Sequence, residues 1–158
     1  MSGLVFMMGE HRAEFPTDRL YARNHMWAMP HNDRAFRFGL TAYAVRLLQD
    51  VYFLDWTVEP PVSLKARQEI GSIESKKAES DLFSPLAGHL AQINADALDD
   101  PSVINVDCYG EAWLLEIELE AAAETLTELL SPDAYLEHLA SAWEVAQRTI
   151  KGQANTND

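Results

Sequence analysis

The residues best suited to covalent chemistry are two adjacent lysines, Lys76 and Lys77, in a segment bounded by carboxylates. It reads Gly71-Ser-Ile-Glu-Ser-Lys-Lys-Ala-Glu-Ser-Asp-Leu-Phe-Ser-Pro85. Residues 69–74 and 79–83 predict two strands, and residues 75–78 predict a tight turn between them. A modifying enzyme needs an amine held away from the protein body, and a hairpin tip provides it. The ordinary alternative is that paired lysines at a turn are solvated charge.

No other group of side chains predicts a catalytic or metal site. The only cysteine, Cys108, is either a nucleophile helped by a histidine brought near in the fold or, more ordinarily, a small apolar residue. The histidines are widely separated and lack zinc-site spacing, so they are predicted to be surface or structural residues. They are His11, His25, His31, His89 and His138. The phosphate-binding and dinucleotide-binding glycine motifs and the Gly-x-Ser-x-Gly elbow are absent from the sequence.

Composition predicts one soluble domain. The chain has 158 residues, 47% of them apolar, which is enough for a single packed core. The formal net charge of -13 argues against binding to nucleic acid. No apolar run has the roughly 20 residues of a membrane-spanning helix, and no signal peptide is recognisable. The sequence therefore predicts a cytoplasmic protein with no membrane partner, or a protein of an organelle matrix after processing.

Local patterns predict an N-terminal arm over residues 1–20, an ordered domain over residues 21–152 and a polar tail over residues 153–158. The arm lacks periodicity and is expected to be loose. Residues 40–48 predict a short helix with Thr41 as its N-cap. Residues 51–56 predict a strand that ends before Pro60 and Pro61.

The second half of the chain changes from strands to helices. Turns are predicted at Pro85 and Gly88, strands at residues 90–93 and 113–119, and irregular structure at residues 94–101. A helix is predicted over residues 121–130. A last helix begins after the cap Ser131, buries an apolar stripe and ends near Gly152. The stripe consists of Tyr135, Leu139 and Trp143.

Several dispersed motifs resemble the glycine cleavage H-protein family, whose lipoylated lysine lies within Glu-Ser-Val-Lys-Ala-x-Ser-Asp. The corresponding residues here are Glu74-Ser-Lys-Lys-Ala-Glu-Ser-Asp81, which puts Lys77 at the modified position. Further resemblances lie at Tyr21, His25-Met-Trp27, Gly39-Leu-Thr-Ala-Tyr-Ala44 and Asp107-Cys-Tyr-Gly-Glu-Ala-Trp113. They extend from about Tyr21 to about Tyr135.

The resemblance implies a mainly β fold of the lipoyl and biotinyl carrier type, a flattened barrel or sandwich with flanking helices that include a C-terminal helix. It implies a non-catalytic carrier with lipoate on Lys77 and an aminomethyl group as cargo. Recognition by the ligase and partner enzymes would fall on Glu74, Ser75, Ala78 and Asp81. The implied partners are a lipoate-protein ligase or lipoyl transferase, glycine decarboxylase, aminomethyltransferase and dihydrolipoyl dehydrogenase.

Departures from the family pattern leave two alternatives open. Met26 replaces a Glu, Gln49 a Gly, Cys108 a Pro and Ala112 a Gly, and Lys76 stands where Val is usual. Loss of the carboxylate at Met26 favours a different cargo. The first alternative is a related lipoate-binding protein that carries sulfur for a heterodisulfide-reductase-like complex of sulfur oxidation. The second is a binding or regulatory domain that has lost the cofactor, against which the intact lysine motif argues.

Overall fold

The computed structural model describes residues 3–119 and 128–156, with side chains as far as residue 148. The strands in these ranges are β1 Gly3–Met8, β2 His11–Pro16, β3 Leu20–Tyr21, β4 Met26–Pro30, β5 Ala35–Leu40, β6 Val51–Trp56, β7 Val62–Leu64, β8 Glu69–Ser75, β9 Glu79–Phe83, β10 Gly88–Ile93 and β11 Leu115–Glu118. The helices there are α1 Ala42–Leu48, α2 Ala95–Asp99, α3 Val103–Val106 and α4 Pro132–Thr156.

Two antiparallel sheets enclose the main core. One has the strand order β3-β4-β5-β11-β10-β7, and the other has the order β6-β8-β9. Buried Phe38 and Leu115 of the first sheet belong to the same apolar cluster as Leu54, Ile73 and Leu82 of the second. This sandwich, with α4 beside it, confirms the predicted mainly β fold with a C-terminal helix.

A glycine lets the three-stranded sheet pair closely. A Cβ atom at Gly71 would lie 2.3 Å from the carbonyl oxygen of Asp55 on β6. The register between β8 and β9 also shifts between Glu69 and Gly71. A side chain at this position would separate β6 from β8 and move the hairpin that β8 and β9 form.

The N-terminal residues are a packed hairpin, which corrects the expectation of a loose arm before Tyr21. β1 and β2 pair antiparallel from Gly3 and Pro16 to Met8 and His11, and they form a separate two-stranded sheet. Phe15 is fully buried in an aromatic cluster with Tyr21 and Tyr135. The hairpin orders because its apolar side covers that cluster, and a contact between distant segments leaves no local periodicity.

Two helical predictions also need correction. Residues 94–101 are not irregular throughout, because α2 forms with Asn94 as its cap, accepting from the amide of Asp96 at 3.1 Å. The last helix does not stop near Gly152 but continues to Thr156. The helix predicted over residues 121–130 falls largely outside the described residues. Across the described ranges, no helix is both long and apolar enough to cross a bilayer.

Other local predictions are confirmed. Thr41 caps α1 and accepts from the amide of Ala44, and Ser131 accepts from the amide of Ala134 at the start of α4. Tyr135 and Leu139 are fully buried, and Trp143 packs against the same cluster half-buried. Periodicity and capping residues therefore located these helices correctly at their N-termini.

Candidate functional site

The two adjacent lysines occupy the tip of the β8–β9 hairpin, as the sequence predicted. The strands pair in register down to Glu74 opposite Glu79, and β8 is also paired with β6. Lys76 and Lys77 are exposed and lie between Ser75 and Ala78. The sheet therefore holds the tip from both sides of β8, while the lysine side chains project into solvent.

Ser75 holds the turn together with its own side chain. Its amide donates to the carbonyl of Ala78 at 2.9 Å, and its hydroxyl donates to the same carbonyl at 3.1 Å. The Ser75 Oγ also accepts from the amides of Lys77 at 3.2 Å and Ala78 at 3.1 Å. Since Ser75 is itself buried, its hydroxyl is shielded from water and these bonds stabilise the turn.

The two lysines differ in their surroundings. The Lys76 amide donates to the carbonyl of Asp50 at 3.0 Å, and its ammonium lies 3.5 Å from the Asp50 carboxylate. The Lys77 ammonium has no hydrogen bond or ion pair with the described residues. Lys76 thus fastens the tip to the loop after α1, whereas Lys77 presents a free amine. Sequence reasoning missed Asp50, because only the pairing of β6 with β8 brings it beside the tip.

A groove of about 350 Å³ lies between α1 and the hairpin, along which its lining extends from Ala78 to Phe83. Its walls combine apolar side chains from the core with the polar residues that follow Lys77. Residues that define it include Asn24, His25, Met26, Leu47, Glu79 and Asp81. The floor of the groove is apolar, because it includes buried Met26 and the 38% exposed Leu47. The hairpin side is acidic, because Glu79 and Asp81 line it. A long, mostly apolar chain attached to the tip fits such a surface.

His25 links the groove to the C-terminal helix. Its Nδ1 lies 2.9 Å from the hydroxyl of Tyr135, which lies 2.9 Å from the hydroxyl of Thr41. Its backbone has φ 69°, a left-handed conformation, and its carbonyl accepts from the amide of Thr41. Burial, followed by the nearby His138, lowers the pKa of His25 to about 4. The imidazole is therefore neutral at physiological pH.

We expect His25 to make the fold less stable in acid. Its folded pKa of about 4 lies below the unfolded value of about 6.5, so its contribution is complete above pH 6.5 and is lost as the pH falls toward 4. The loss is roughly 2–4 kcal/mol of unfolding free energy. Urea denaturation at several pH values, compared with His25→Gln, measures it. Parallel pH profiles for the two proteins would contradict this assignment.

Cys108 lies near the start of α1. The indole of Trp27 donates to its carbonyl at 2.7 Å, and the next residue, Tyr109, accepts from the amide of Ala42 at the start of α1. The Lys76 contact with Asp50 lies beyond the other end of that helix. Burial and then Asp107 raise the pKa of the half-buried Cys108 thiol to about 11, so the thiolate is disfavoured.

Comparisons with known proteins point to the same family as the sequence motifs. The family model described as Glycine cleavage H-protein matches residues 19–142. The chain is 39% identical over 127 residues to a glycine cleavage system H protein of Rubrobacter xylanophilus, covering 80% of this chain and 96% of that one. It is 37% identical over 123 residues to a probable glycine cleavage system H protein 1 of Saccharolobus solfataricus, covering 78% and 89%.

A solved structure is also similar. The crystal structure of a glycine cleavage system H protein from Mycobacterium marinum has a TM-score of 0.70 and 32% sequence identity. The match covers 80% of this chain and 99% of that one. The β1–β2 hairpin precedes the part of the chain that the family model matches.

Proposed function

Because the chain belongs to the glycine cleavage H-protein family, we propose that it is a non-catalytic carrier with lipoate on Lys77 that shuttles an aminomethyl group between enzymes. The free amine of Lys77, held at a rigid hairpin tip inside the motif of residues 74–81, is the observation that carries this proposal. The neighbouring groove fits the cofactor, since its apolar floor can receive a dithiolane and its lining begins at Ala78, next to the attachment point.

The chain's own residues contribute position and reach. Ser75 fixes the direction of the tip, and the Lys76 ammonium lies 3.5 Å from the Asp50 carboxylate, whereas the Lys77 amine has no ion pair with the described residues. The ligase and partner enzymes can recognise the negative charges of Glu74, Glu79 and Asp81 around the tip. Tethering the cofactor raises its effective concentration at each partner active site. Lipoate attached to Lys77 would supply a disulfide that is reduced as it takes up the one-carbon unit, and dihydrolipoyl dehydrogenase would reoxidise the dithiol that remains after the unit is passed on.

The proposed partners are a lipoate-protein ligase or lipoyl transferase, glycine decarboxylase, aminomethyltransferase and dihydrolipoyl dehydrogenase. The test is to lipoylate the protein with a ligase, confirm one added group by intact mass, and supply glycine with glycine decarboxylase. We expect exchange of the glycine carboxyl carbon with bicarbonate only when the protein is lipoylated. Exchange equal to the rate without carrier would reject the aminomethyl cargo.

A second candidate is carriage of sulfur for a heterodisulfide-reductase-like complex, and Met26 favours it. This buried thioether lies in the groove where the family has a carboxylate, so the groove loses a group that could hold a cationic amine. Mass spectrometry of the lipoylated protein, first reduced to the dithiol and then incubated with a sulfane sulfur donor, tests it. Added sulfur on the lipoyl group, with no glycine-dependent exchange, would favour this candidate over the first.

Cys108 is expected to take no part in either activity. We predict that Cys108→Ser leaves sulfur loading of the lipoylated protein unchanged, because burial and the neighbouring Asp107 disfavour the thiolate that would have to react. Mass spectrometry of the loaded variant measures this. If loading disappears while the variant stays folded and lipoylated, Cys108 belongs to the site after all.

A further inference from the structure

The outer edge of β1 is unpaired in the described part of the chain. Gly9 and Glu10 form the two-residue turn, so the flanking pair Met8–His11 is hydrogen-bonded, and the pairing alternates from there. The backbone groups of Val5 and Met7 therefore face away from β2. No hydrogen bond to them is made by the described residues. Met7 is 49% exposed.

The other edge of the hairpin is protected. On β2 the carbonyl of Glu14 accepts from the Tyr109 hydroxyl at 2.8 Å, and Arg12 pairs with Glu14 at 3.2 Å. Pro16 ends that strand and has no amide to donate. Charged residues and proline are the usual means of blocking strand addition at a sheet edge. β1 has neither, since it reads Gly-Leu-Val-Phe-Met-Met.

We propose that β1 pairs antiparallel with β1 of a second copy of the chain and so forms a four-stranded sheet. In the register that uses the free backbone groups, Val5 lies opposite Val5 of the second copy and Met7 opposite its Gly3. Glycine leaves room for the methionine side chain across the strands. Antiparallel pairing of one strand with itself is two-fold symmetric, so the assembly closes as a dimer.

Charge favours β1 over other parts of the surface as the place where two copies meet. A chain with a net charge of -13 repels its own copies over most approaches. β1 is six residues without a charge, so pairing through it brings no carboxylates face to face. The contact is small, and we expect a reversible dimer with a dissociation constant of roughly micromolar to millimolar size.

Sedimentation velocity over a range of concentrations tests the dimer. The weight-average mass should rise from that of the 17.8 kDa chain toward twice that value. Val5→Lys places two ammonium groups opposite each other and should weaken association by about tenfold or more. Leu98→Lys, an equal charge change at an exposed residue of α2, should leave association unchanged. A monomer at every concentration, or equal weakening by both variants, would overturn the proposal.

Cysteine cross-linking tests the register, in a Cys108→Ser background. Val5→Cys should form a disulfide dimer quickly under glutathione disulfide, because hydrogen-bonded partners have Cα atoms about 5.5 Å apart. In the proposed register, Met7 of one copy lies four residues along the strand from Met7 of the other. Met7→Cys should therefore cross-link much more slowly, even though position 7 is exposed. Equal rates, or faster cross-linking at position 7, would show random collision and overturn the register.

Discussion

We expect the Lys77→Arg variant to gain no lipoyl group in the presence of a lipoate-protein ligase, whereas Lys76→Arg gains one. Arginine keeps the positive charge but offers no amine that forms the amide bond. The geometry distinguishes the two positions, because the amide and ammonium of Lys76 contact Asp50 while the Lys77 amine is free of described partners. Intact mass gives the number of groups added, and peptide mapping gives their position.

Controls distinguish an incorrect assignment of the modified lysine from a misfolded hairpin tip. Both arginine variants should unfold at the same denaturant concentration as the wild type, because both side chains are exposed. A lipoyl group on Lys77→Arg together with none on Lys76→Arg would show that Lys76 is the modified residue. If neither variant gains a lipoyl group and both have normal stability, the ligase recognises both lysines.

The Phe15→Ala variant should lose about 3–5 kcal/mol of unfolding free energy. Phe15 is fully buried, with ring centroids 5.5 Å from Tyr135 and 6.2 Å from Tyr21 in edge-on geometry. Removing the ring leaves a cavity between the N-terminal hairpin and α4. Equilibrium denaturation followed by near-ultraviolet circular dichroism measures the loss and the change at the aromatic cluster.

Phe53→Ala is the matched control, since Phe53 is 43% exposed on β6. It should cost less than about 1 kcal/mol. If Phe15→Ala costs no more than this control, the hairpin is peripheral to the fold. A large loss confined to Phe15→Ala would mean that residues outside the family-matched range stabilise the domain.

The hairpin with its lysine tip could be predicted from the sequence because its signals are local. The strand-forming residues flank a four-residue turn, and the Ser75 hydroxyl bonds the amides of the two residues that complete it. Caps such as Thr41 and Ser131 act on amides three residues away. Spacing along the chain therefore suffices to predict these elements.

The groove, the neutral histidine and the packed N-terminus were decided by tertiary structure alone. His25 meets Tyr135 across 110 residues of sequence, and burial in that contact lowers its pKa. Asp50 reaches Lys76 only because β6 pairs with β8. β1 has no alternation of polar and apolar residues, so the sequence does not predict this strand. Its packing against the aromatic cluster orders it. Periodicity reports neighbours along the chain, whereas these features depend on which distant segments the folded core brings together.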